Sequence, residues 1–434
     1  MRRRTAYVLA LGGASSLLLA AGGIVHAQDT ATPQGDLRVA VWSDWQFVED
    51  AARRYVDAHP GVTIDVQAIT GQDYFDNLPR TLGTADAADV TVLQVTQTGT
   101  YRPVVEEGLL MDVNDIWQSQ GLEQAIPGSV VEVYTEEDGS RYSVNVGLTY
   151  LPIIYYNKEI FDQLGLEVED GTRLASYDEL YALTDALAQA GVVPMTYAWA
   201  RDAHHLFQQN LDSSCGDEGY QELGSNWRPG STPTLHWTDE CAVQAIQQYA
   251  DMAQRGVFGS QPVMGFDVAG ATFTSGGAGM WMTGMWAIGQ LRDEADFDWG
   301  WFMAPPIPGG EDTKWILWTA DGLGIAANTQ YPELAKDFLA SLMTVESQSN
   351  MLAFGRPPAR TDTTVPPDAD PAIVAMQGSL DSLGTAVHFI QVLAPPDFQD
   401  IIQSGSEEVV LGVKSPQDLA QELEDLAESL RAGG

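Results

Sequence analysis

The sequence has few basic residues. Among its 434 residues, 21 are lysine or arginine and 60 are aspartate or glutamate, so the net charge is −39 at pH 7. Nucleic acids and anionic membrane surfaces are poor partners for such a chain, because both would be repelled. The acidic residues are scattered, which favours a role in solubility or in adaptation to salt or acid. Attraction of a cationic ligand is the alternative interpretation.

Catalytic and cofactor motifs are also missing. The sequence contains neither Gly-x-Ser-x-Gly nor His-Glu-x-x-His, which argues against the enzyme classes that depend on these motifs. The glycine-rich segment 276–279 is not followed by Gly-Lys-Ser/Thr, so it does not predict a phosphate loop. His204 and His205 are adjacent and therefore point in different directions, and we expect surface or loop histidines. We expect no cofactor and no metal.

Long apolar runs are absent beyond residue 27, and the first 27 residues have a pattern of their own. Three arginines at 2–4 precede a Leu/Ala-rich run, and Val25-His26-Ala27 is a small-x-small cleavage site. Together these features are typical of a secretory signal peptide, whereas a retained anchor is less favoured because the run is short and interrupted by glycine. We expect a secreted, periplasmic or extracytoplasmic protein with a tether at 28–35.

Further expectations depend on this signal peptide. Removing its three arginines takes the net charge from −39 to −42. No cysteine follows the cleavage point, so we expect no lipid anchor. The adjacent arginines leave open whether export follows the Sec or the twin-arginine route.

Only two cysteines are present, Cys215 and Cys241. In an exported protein such a pair is expected to form a disulfide. The alternative, a catalytic thiol, would need a paired histidine and a reducing compartment. We therefore predict a bond between Cys215 and Cys241.

Length and hydrophobic periodicity predict an α/β protein of two domains. After removal of the leader about 400 residues remain, which is too many for one typical core. Predicted strands at 36–42, 62–66 and 89–95 alternate with helices, as in βαβ units with a parallel sheet. Ligands of such sheets bind beyond the carboxyl ends of the strands. Here those ends are 42–45, 69–73 and 94–98.

Local signals predict several helix starts and turns. The Asp138-Gly139 turn predicts a hairpin over 134–142, and 215–238 is predicted to be rich in loops. Side-chain caps are predicted at three helix starts. They are Ser43 with Gln46, Ser176 with Glu179, and Ser415 with Pro416 at the first helical position.

Tryptophan is abundant, with twelve in the chain. Five stand at predicted strand ends or near glycines: Trp42, Trp199, Trp281, Trp286 and Trp318. A sugar offers an apolar face to an indole ring and a rim of hydroxyls to polar groups such as Asp321 and Arg356. We expect at least two of the five indoles in a binding cleft, with core packing as the alternative for any single one.

Several segments carry a resemblance to a known family. They are VGLTYLPIIYYNKEIF at 146–161, FTSGGAGMWMTGMW at 273–286, MAPPIPGG at 303–310, AKDFL at 335–339 and RPPARTD at 356–362. In this order and spacing the chain resembles the family 1 extracellular solute-binding proteins of ABC importers. Gly279 departs from that family's usual alanine.

The resemblance implies a fold, a function and partners. It implies two α/β lobes joined by hinge crossovers, with lobe one at 36–148 plus 320–357 and lobe two at 149–319 plus 358–434. The ligand would bind between the lobes, a hinge motion would close them, and an ABC permease would recognise the closed form. The resemblance implies a binding protein, not an enzyme, and we expect a monomer.

The candidate site residues come from the strand ends and from this resemblance. The resemblance implies that Trp286 stacks on the ligand, that Tyr150 makes a polar contact and that the loop at 96–98 contacts the ligand. The candidate ligand-binding residues are Trp42, Gln94, Thr96, Thr98, Tyr150, Trp199, Trp281, Trp286, Trp318, Asp321 and Arg356. A sugar is the favoured ligand. Another solute, such as a polyol, glycerol phosphate or polyamine, is the alternative. A secreted glycoside hydrolase is a further one, although no acidic pair stands at consecutive strand ends as that chemistry requires.

Overall fold

The computed structural model describes residues 34–69, 73–95, 98–318, 321–387 and 395–433. The predicted signal peptide at 1–27 and nearly all of the tether lie outside these ranges, as does Thr96. No helix within the described ranges combines the length and apolarity needed to cross a membrane.

The first sheet has five strands in the order β2-β1-β3-β11-β4. Strands β1, β2 and β3 are parallel, and β11 is antiparallel to both of its neighbours. The βαβ prediction is confirmed, because helices α1 and α2 separate the parallel strands along the chain. The strands are β1 Gly35–Trp42, β2 Val62–Ile69, β3 Val90–Gln94, β4 Ser143–Asn145 and β11 Asp321–Ile325, and the helices are α1 Gln46–Ala58 and α2 Asp73–Thr81.

The second sheet has the order β7-β8-β6-β9 and is buried on both faces. Its strands are β6 Ile153–Asn157, β7 Val193–Tyr197, β8 Ala278–Thr283 and β9 Trp299–Phe302. On β6, Ile153 and Tyr155 join one hydrophobic cluster, whereas Ile154 and Tyr156 join another. Successive side chains of a strand point to opposite faces, so burial on both faces explains why these strands are apolar throughout.

A third sheet, of order β12-β10-β5, lies where the chain passes between the other two. Its strands are β5 Thr149–Leu151, β10 Trp315–Trp318 and β12 Thr385–Val387. Strand β5 stands between β4 of the first sheet and β6 of the second, and β10 precedes β11 of the first. These two strands are therefore crossovers between the lobes.

The remaining helices cover the sheets. In the first lobe and its return segment they are α3 Thr98–Glu106, α4 Asn114–Ser119, α5 Leu122–Ala125, α6 Gly128–Val133, α13 Pro332–Leu342, α14 Val345–Asn350 and a 3₁₀ turn at Met351–Phe354. The others are α7 Lys158–Leu164, α8 Tyr177–Gln189, α9 Trp199–Ser225, α10 Glu240–Gln254, α11 Phe266–Thr274, α12 Ala287–Glu294, α15 Pro371–Leu383, α16 Pro396–Val410 and α17 Pro416–Ala432.

The lobe bounds can be proposed more closely from hydrogen bonds. The Thr361 amide donates to the Ala125 carbonyl at 2.7 Å, and the Thr364 amide donates to Ser349 Oγ at 3.0 Å. Both partners belong to helices that pack with the first sheet. We therefore propose that lobe one extends to about residue 364, a few residues beyond the bound at 357.

One local prediction is wrong and another holds only in part. The Asp138-Gly139 turn forms, with Gly139 at φ 84°, but no ladder strands flank it, because the Arg141 carbonyl accepts from Val113 at 2.8 Å instead. The segment 215–238 is loop only from residue 226 onwards, because α9 continues to Ser225 after a break at Gly216 (φ 68°, ψ 172°). A glycine accommodates that geometry at little steric cost.

The predicted disulfide and two of the three caps are present. Cys215 and Cys241 are bonded, with Cα atoms 5.1 Å apart. The hydroxyls of Ser176 and Ser415 accept from the amides of Glu179 and Asp418. The Ser43 cap is wrong, because α1 starts later, after Trp45, with no side-chain cap.

Candidate functional site

The core of the site forms where three strands of the first lobe end or begin. Trp42 is the last residue of β1, Gln94 is the last of β3, and Asp321 is the first of β11. Because β3 and β11 are antiparallel, Gln94 lies directly opposite Asp321, and directly opposed side chains share a face of the sheet. The strand-end prediction thus holds for the placement of these residues.

The carboxylate of Asp321 is the electrostatic centre of this cluster. The indole N–H groups of Trp42 and Trp318 lie near it and favour its charged form. Burial raises its pKa to about 6, and nearby Asp44 raises it as well, while the two indole donors and the Arg356 guanidinium oppose the shift. Its Oδ1 atom has no hydrogen-bond partner among the described residues. The carboxylate therefore retains an unused acceptor.

Arg356 is held in place by an ion pair. Its Nη2 contacts Oδ2 of Asp44, which lies in the turn after β1. The Arg356 side chain is 10% exposed and that of Asp44 is 47% exposed. Gly355, at φ 69°, lets the chain turn after the 3₁₀ segment. The guanidinium charge is thus mostly neutralised before any ligand arrives.

A cavity of ≈ 20 Å³ lies beside this cluster. Its walls come from the first lobe and from the crossover residues Thr149 and Trp318, so it lies where the first lobe meets the crossover strands. Ligand pockets usually enclose about 300–1,000 Å³, so this cavity has room for water only. The polar and aromatic side chains that line it are Trp45, Phe47, Thr149, Trp318, Asp321 and Arg356.

Trp318 connects this cavity to an aromatic cluster on the second lobe. Its ring centroid lies 5.7 Å from that of His205 and 6.1 Å from that of His204. The His205 ring lies 5.6 Å from Trp286. The buried His205 ring therefore packs against both Trp286 and Trp318.

The expectation of surface or loop histidines is wrong. His204 and His205 lie in α9, and each is 2% exposed. Nδ1 of His205 is 3.9 Å from Oδ1 of Asp202, which is also buried. The first half of α9 is enclosed on all sides, so adjacent histidines are both covered. Within the described ranges, no group of three or more His, Cys, Asp or Glu residues is arranged to hold a metal ion.

Three candidates lie inside the protein core. Trp199 is 0% exposed and its ring is 4.9 Å from both Tyr197 and Tyr249. Trp281 is also 0% exposed, on β8. Tyr150 is 6% exposed, and burial raises its pKa to about 12. The structure does not bring these three into the cavity lining.

Trp286 is positioned by a glycine. A Cβ atom on Gly284 would lie 2.3 Å from Trp286 Cζ3, so the indole rests against the bare backbone of this residue. The Gly-x-Trp spacing therefore has a local steric cause. Thr98 begins α3 near the end of β3, but its side chain, like all of Thr96, lies outside the described residues.

Comparison with known proteins decides the family. The model of the bacterial extracellular solute-binding protein family matches residues 45–349, well over half of the chain. The chain belongs to this family. This solute-binding protein is accordingly a substrate-binding component of the ABC-transporter type and not an enzyme.

Sequence relatives agree with that assignment. The solute-binding protein is 23% identical over 389 residues to an uncharacterized ABC transporter extracellular-binding protein of Pyrococcus horikoshii, covering 85% of this chain and 83% of that one. It is 25% identical over 289 residues to the sn-glycerol-3-phosphate-binding periplasmic protein of Brucella abortus, covering 61% of each chain.

Solved structures show the same fold. The chitin oligosaccharide binding protein superposes with a TM-score of 0.75 at 19% identity, over 92% of this chain and 100% of that one. The GacH receptor of Streptomyces glaucescens superposes with a TM-score of 0.74 at 17% identity, over 92% and 99%. The predicted two-lobed α/β architecture is confirmed.

Sequence reasoning missed some residues of this solute-binding protein. Asp44, Trp45 and Phe47 border the site but were not among the candidates. Asp44 and Trp45 fall in the segment 42–45 that was recognised as a strand end, so the signal was present. The contact of His205 with Trp318 joins distant parts of the chain, and no sequence signal indicates it.

Proposed function

We propose that this solute-binding protein captures a sugar in the cleft between its lobes and delivers it to the membrane subunits of an ABC importer. The observation that carries the proposal is the grouping of Asp321, Trp318 and Arg356 around one cavity beside the crossover strands. The carboxylate and guanidinium suit the hydroxyl rim of a sugar, and the indole suits its C–H face. Trp42 supports Asp321 from the side of the first lobe.

Sugar binding requires a change of shape. A cavity of ≈ 20 Å³ is far below the size of ligand pockets, so the lobes must separate or Trp318 must swing aside. The crossovers at β5 and β10 are the natural hinge, because hinges concentrate their motion in a few residues at element ends. Trp318 is the last residue of β10 and would move with that hinge.

Glycerol phosphate is the second candidate, suggested by the name of the Brucella relative. The charges of the site disfavour it. Two carboxylates, Asp44 and Asp321, stand near a single guanidinium, and Arg356 already contacts Asp44. A phosphate dianion seeks free arginine or lysine donors. A neutral or cationic ligand fits this balance better.

Calorimetric titration of the mature protein with neutral mono- and oligosaccharides, sn-glycerol 3-phosphate and spermidine tests the proposal. We expect a sugar to bind, and we expect Trp318→Ala and Asp321→Ala to weaken its binding by about tenfold or more, as loss of a buried polar or aromatic contact implies. The matched control is Trp227→Ala, because the Trp227 indole donates to the Gly224 carbonyl at the end of α9 and does not line the cavity. If sn-glycerol 3-phosphate binds and no sugar does, the proposal of a sugar ligand is wrong and glycerol phosphate takes its place.

Delivery and export need separate measurements. Deletion of the gene should abolish uptake of the bound sugar, and the wild-type gene should restore it.

We also propose cleavage after Ala27, which N-terminal sequencing of the exported protein would establish. Size-exclusion chromatography with light scattering checks the proposed monomer, and the net charge of −39 supports the proposal that nucleic acid is not a partner.

A further inference from the structure

The charges around the cavity beside the crossover strands do not balance. Arg356 and Asp321 line it, and Asp44 contacts Arg356 from the adjoining turn. Arg356 contacts Asp44 and also lowers the pKa of Asp321, so two carboxylates share one guanidinium and Asp321 has no cationic partner of its own. A half-buried carboxylate without such a partner is costly, because little water remains to solvate it.

The hydrogen bonds of this site leave acceptors rather than donors unused. The indole N–H groups of Trp42 and Trp318 favour the charged form of Asp321, yet its Oδ1 atom has no hydrogen-bond partner among the described residues. Oε1 of Gln94, on the neighbouring strand directly opposite Asp321, also has none in that part of the chain. A ligand that completes this site must supply N–H or O–H donors at this point.

The walls of the cavity are aromatic. Trp45, Phe47 and Trp318 line it together with Asp321. The face of an aromatic ring attracts a cation, indole most strongly. A carboxylate and aromatic rings around one cavity therefore favour a positively charged group over a neutral hydroxyl, because a cation adds Coulomb attraction to the carboxylate and cation–π contacts with the rings.

We infer that the ligand is an amino sugar, whose protonated amino group pairs with Asp321 while its ring lies against Trp318. The inference rests on the proposed function and specifies its substrate class. The ammonium supplies the missing charge and donors, and the sugar hydroxyls meet Arg356 and Gln94. The pKa of Asp321, raised by burial to about 6, agrees with a carboxylate that lacks a cation of its own until the ligand arrives.

Paired titrations test this inference. The mature protein is titrated at about pH 7 with glucosamine against glucose, galactosamine against galactose, mannosamine against mannose, and chitosan disaccharide against cellobiose. We expect at least one amino sugar to bind about tenfold more tightly than its neutral partner, as a charge-assisted hydrogen bond implies. N-acetylglucosamine, which is neutral, should bind no better than glucose.

Asp321→Asn locates the effect. This variant keeps the shape of the side chain and one carbonyl acceptor but removes the charge. The ratio of the affinity for the amino sugar to the affinity for its neutral partner should therefore fall towards one. The control is Asp86→Asn, which removes an equal charge from an exposed position. Asp86 precedes the first residue of β3, whereas Gln94 is the last residue of that strand. This control should keep the preference. Melting curves of both variants establish that they are folded.

The outcomes separate the inference from the proposed function. Neutral sugars that bind as tightly as their amino partners overturn the inference and leave sugar binding intact. A preference that persists in Asp321→Asn overturns the assignment to that carboxylate. If spermidine binds and no sugar does, or if no sugar binds at all, the proposed function itself fails.

Discussion

The indole N–H of Trp318 favours the charged form of the Asp321 carboxylate, across the short segment between crossover strand β10 and the first-lobe strand β11. The same indole packs edge-on against His205 of the second lobe, at 89° between ring planes. One side chain thus touches both lobes and the central polar group of the site. Any separation of the lobes must change its surroundings.

Trp318→Phe keeps an aromatic ring and removes the N–H donor. We expect the pKa of Asp321 to rise further, because an N–H group that favours its charged form is lost. Affinity for the bound sugar should fall by about fivefold to tenfold, the usual effect of one hydrogen bond. Calorimetric titration measures this loss, and Trp227→Phe is the control. Equal affinities in the two variants would show that the N–H is unimportant.

Two carboxylates with raised pKa values, half-buried Asp321 and buried Asp212, predict how stability depends on pH. Burial raises the pKa values of Asp321 and Asp212 to about 6 from the ordinary 3.8. The folded protein therefore holds these protons more tightly than the unfolded chain does. The resulting stabilisation is complete below about pH 4 and is lost as pH rises through about 6.

Asparagine at either position removes this dependence. Between about pH 4 and pH 7, the wild type should lose on the order of 1–3 kcal/mol of unfolding free energy relative to Asp321→Asn. Urea unfolding at both pH values measures the difference, and Asp86→Asn controls for the general repulsion of an acidic chain. Asp212→Asn should behave similarly but less clearly, because Lys314 lies 3.4 Å from its carboxylate. Parallel pH curves for wild type and Asp321→Asn would contradict the prediction.

The disulfide between Cys215 and Cys241 joins the kinked part of α9 to the start of α10. It closes a loop with a sequence separation of 26 residues. We expect the double variant Cys215→Ser/Cys241→Ser to lose about 3–4 kcal/mol of unfolding free energy, mainly because its unfolded chain is less restricted. Urea unfolding measures the loss. Mass spectrometry without reduction checks the bond first, and two free thiols would refute it.

Gly284→Ala tests the support of Trp286. The new Cβ atom would lie 2.3 Å from the indole, so the ring must move, at a cost of about 1–3 kcal/mol as for other overpacked sites. Sugar affinity should fall if Trp286 borders the ligand. Gly289→Ala is the matched control, because no atom lies within 4 Å of its added Cβ atom and alanine favours a helix. Thermal unfolding should separate the two variants, and equal melting temperatures would exclude the steric role.

Local patterns predicted much of the fold. The strand at 36–42 and the helix that begins at Tyr177 formed as expected, because hydrophobic spacing and caps act within a few residues. The failed predictions have long-range causes. Hydrogen bonding to Val113 kept the segment around Asp138 from forming a hairpin, and the break at Gly216 let α9 continue through a predicted loop.

The tryptophans show where sequence reasoning about the site stops. Trp199 and Trp318 both stand at strand ends near polar residues, yet the first is 0% exposed among core rings and the second lines the cavity. The local sequence around a tryptophan does not differ between an indole in the core and an indole in a cleft. Only the packing of surrounding elements distinguishes them.

The sequence by itself determined the α/β class, the disulfide pair and the family, because these follow from periodicity, residue type and ordered motifs. The tertiary structure decided which polar groups meet. Gln94 and Asp321 are far apart in the chain and become neighbours only through antiparallel pairing of β3 with β11. Asp44 reaches Arg356 only because the turn after β1 lies beside the segment after the 3₁₀ turn. Such contacts depend on strand order and register, which no local stretch of sequence encodes.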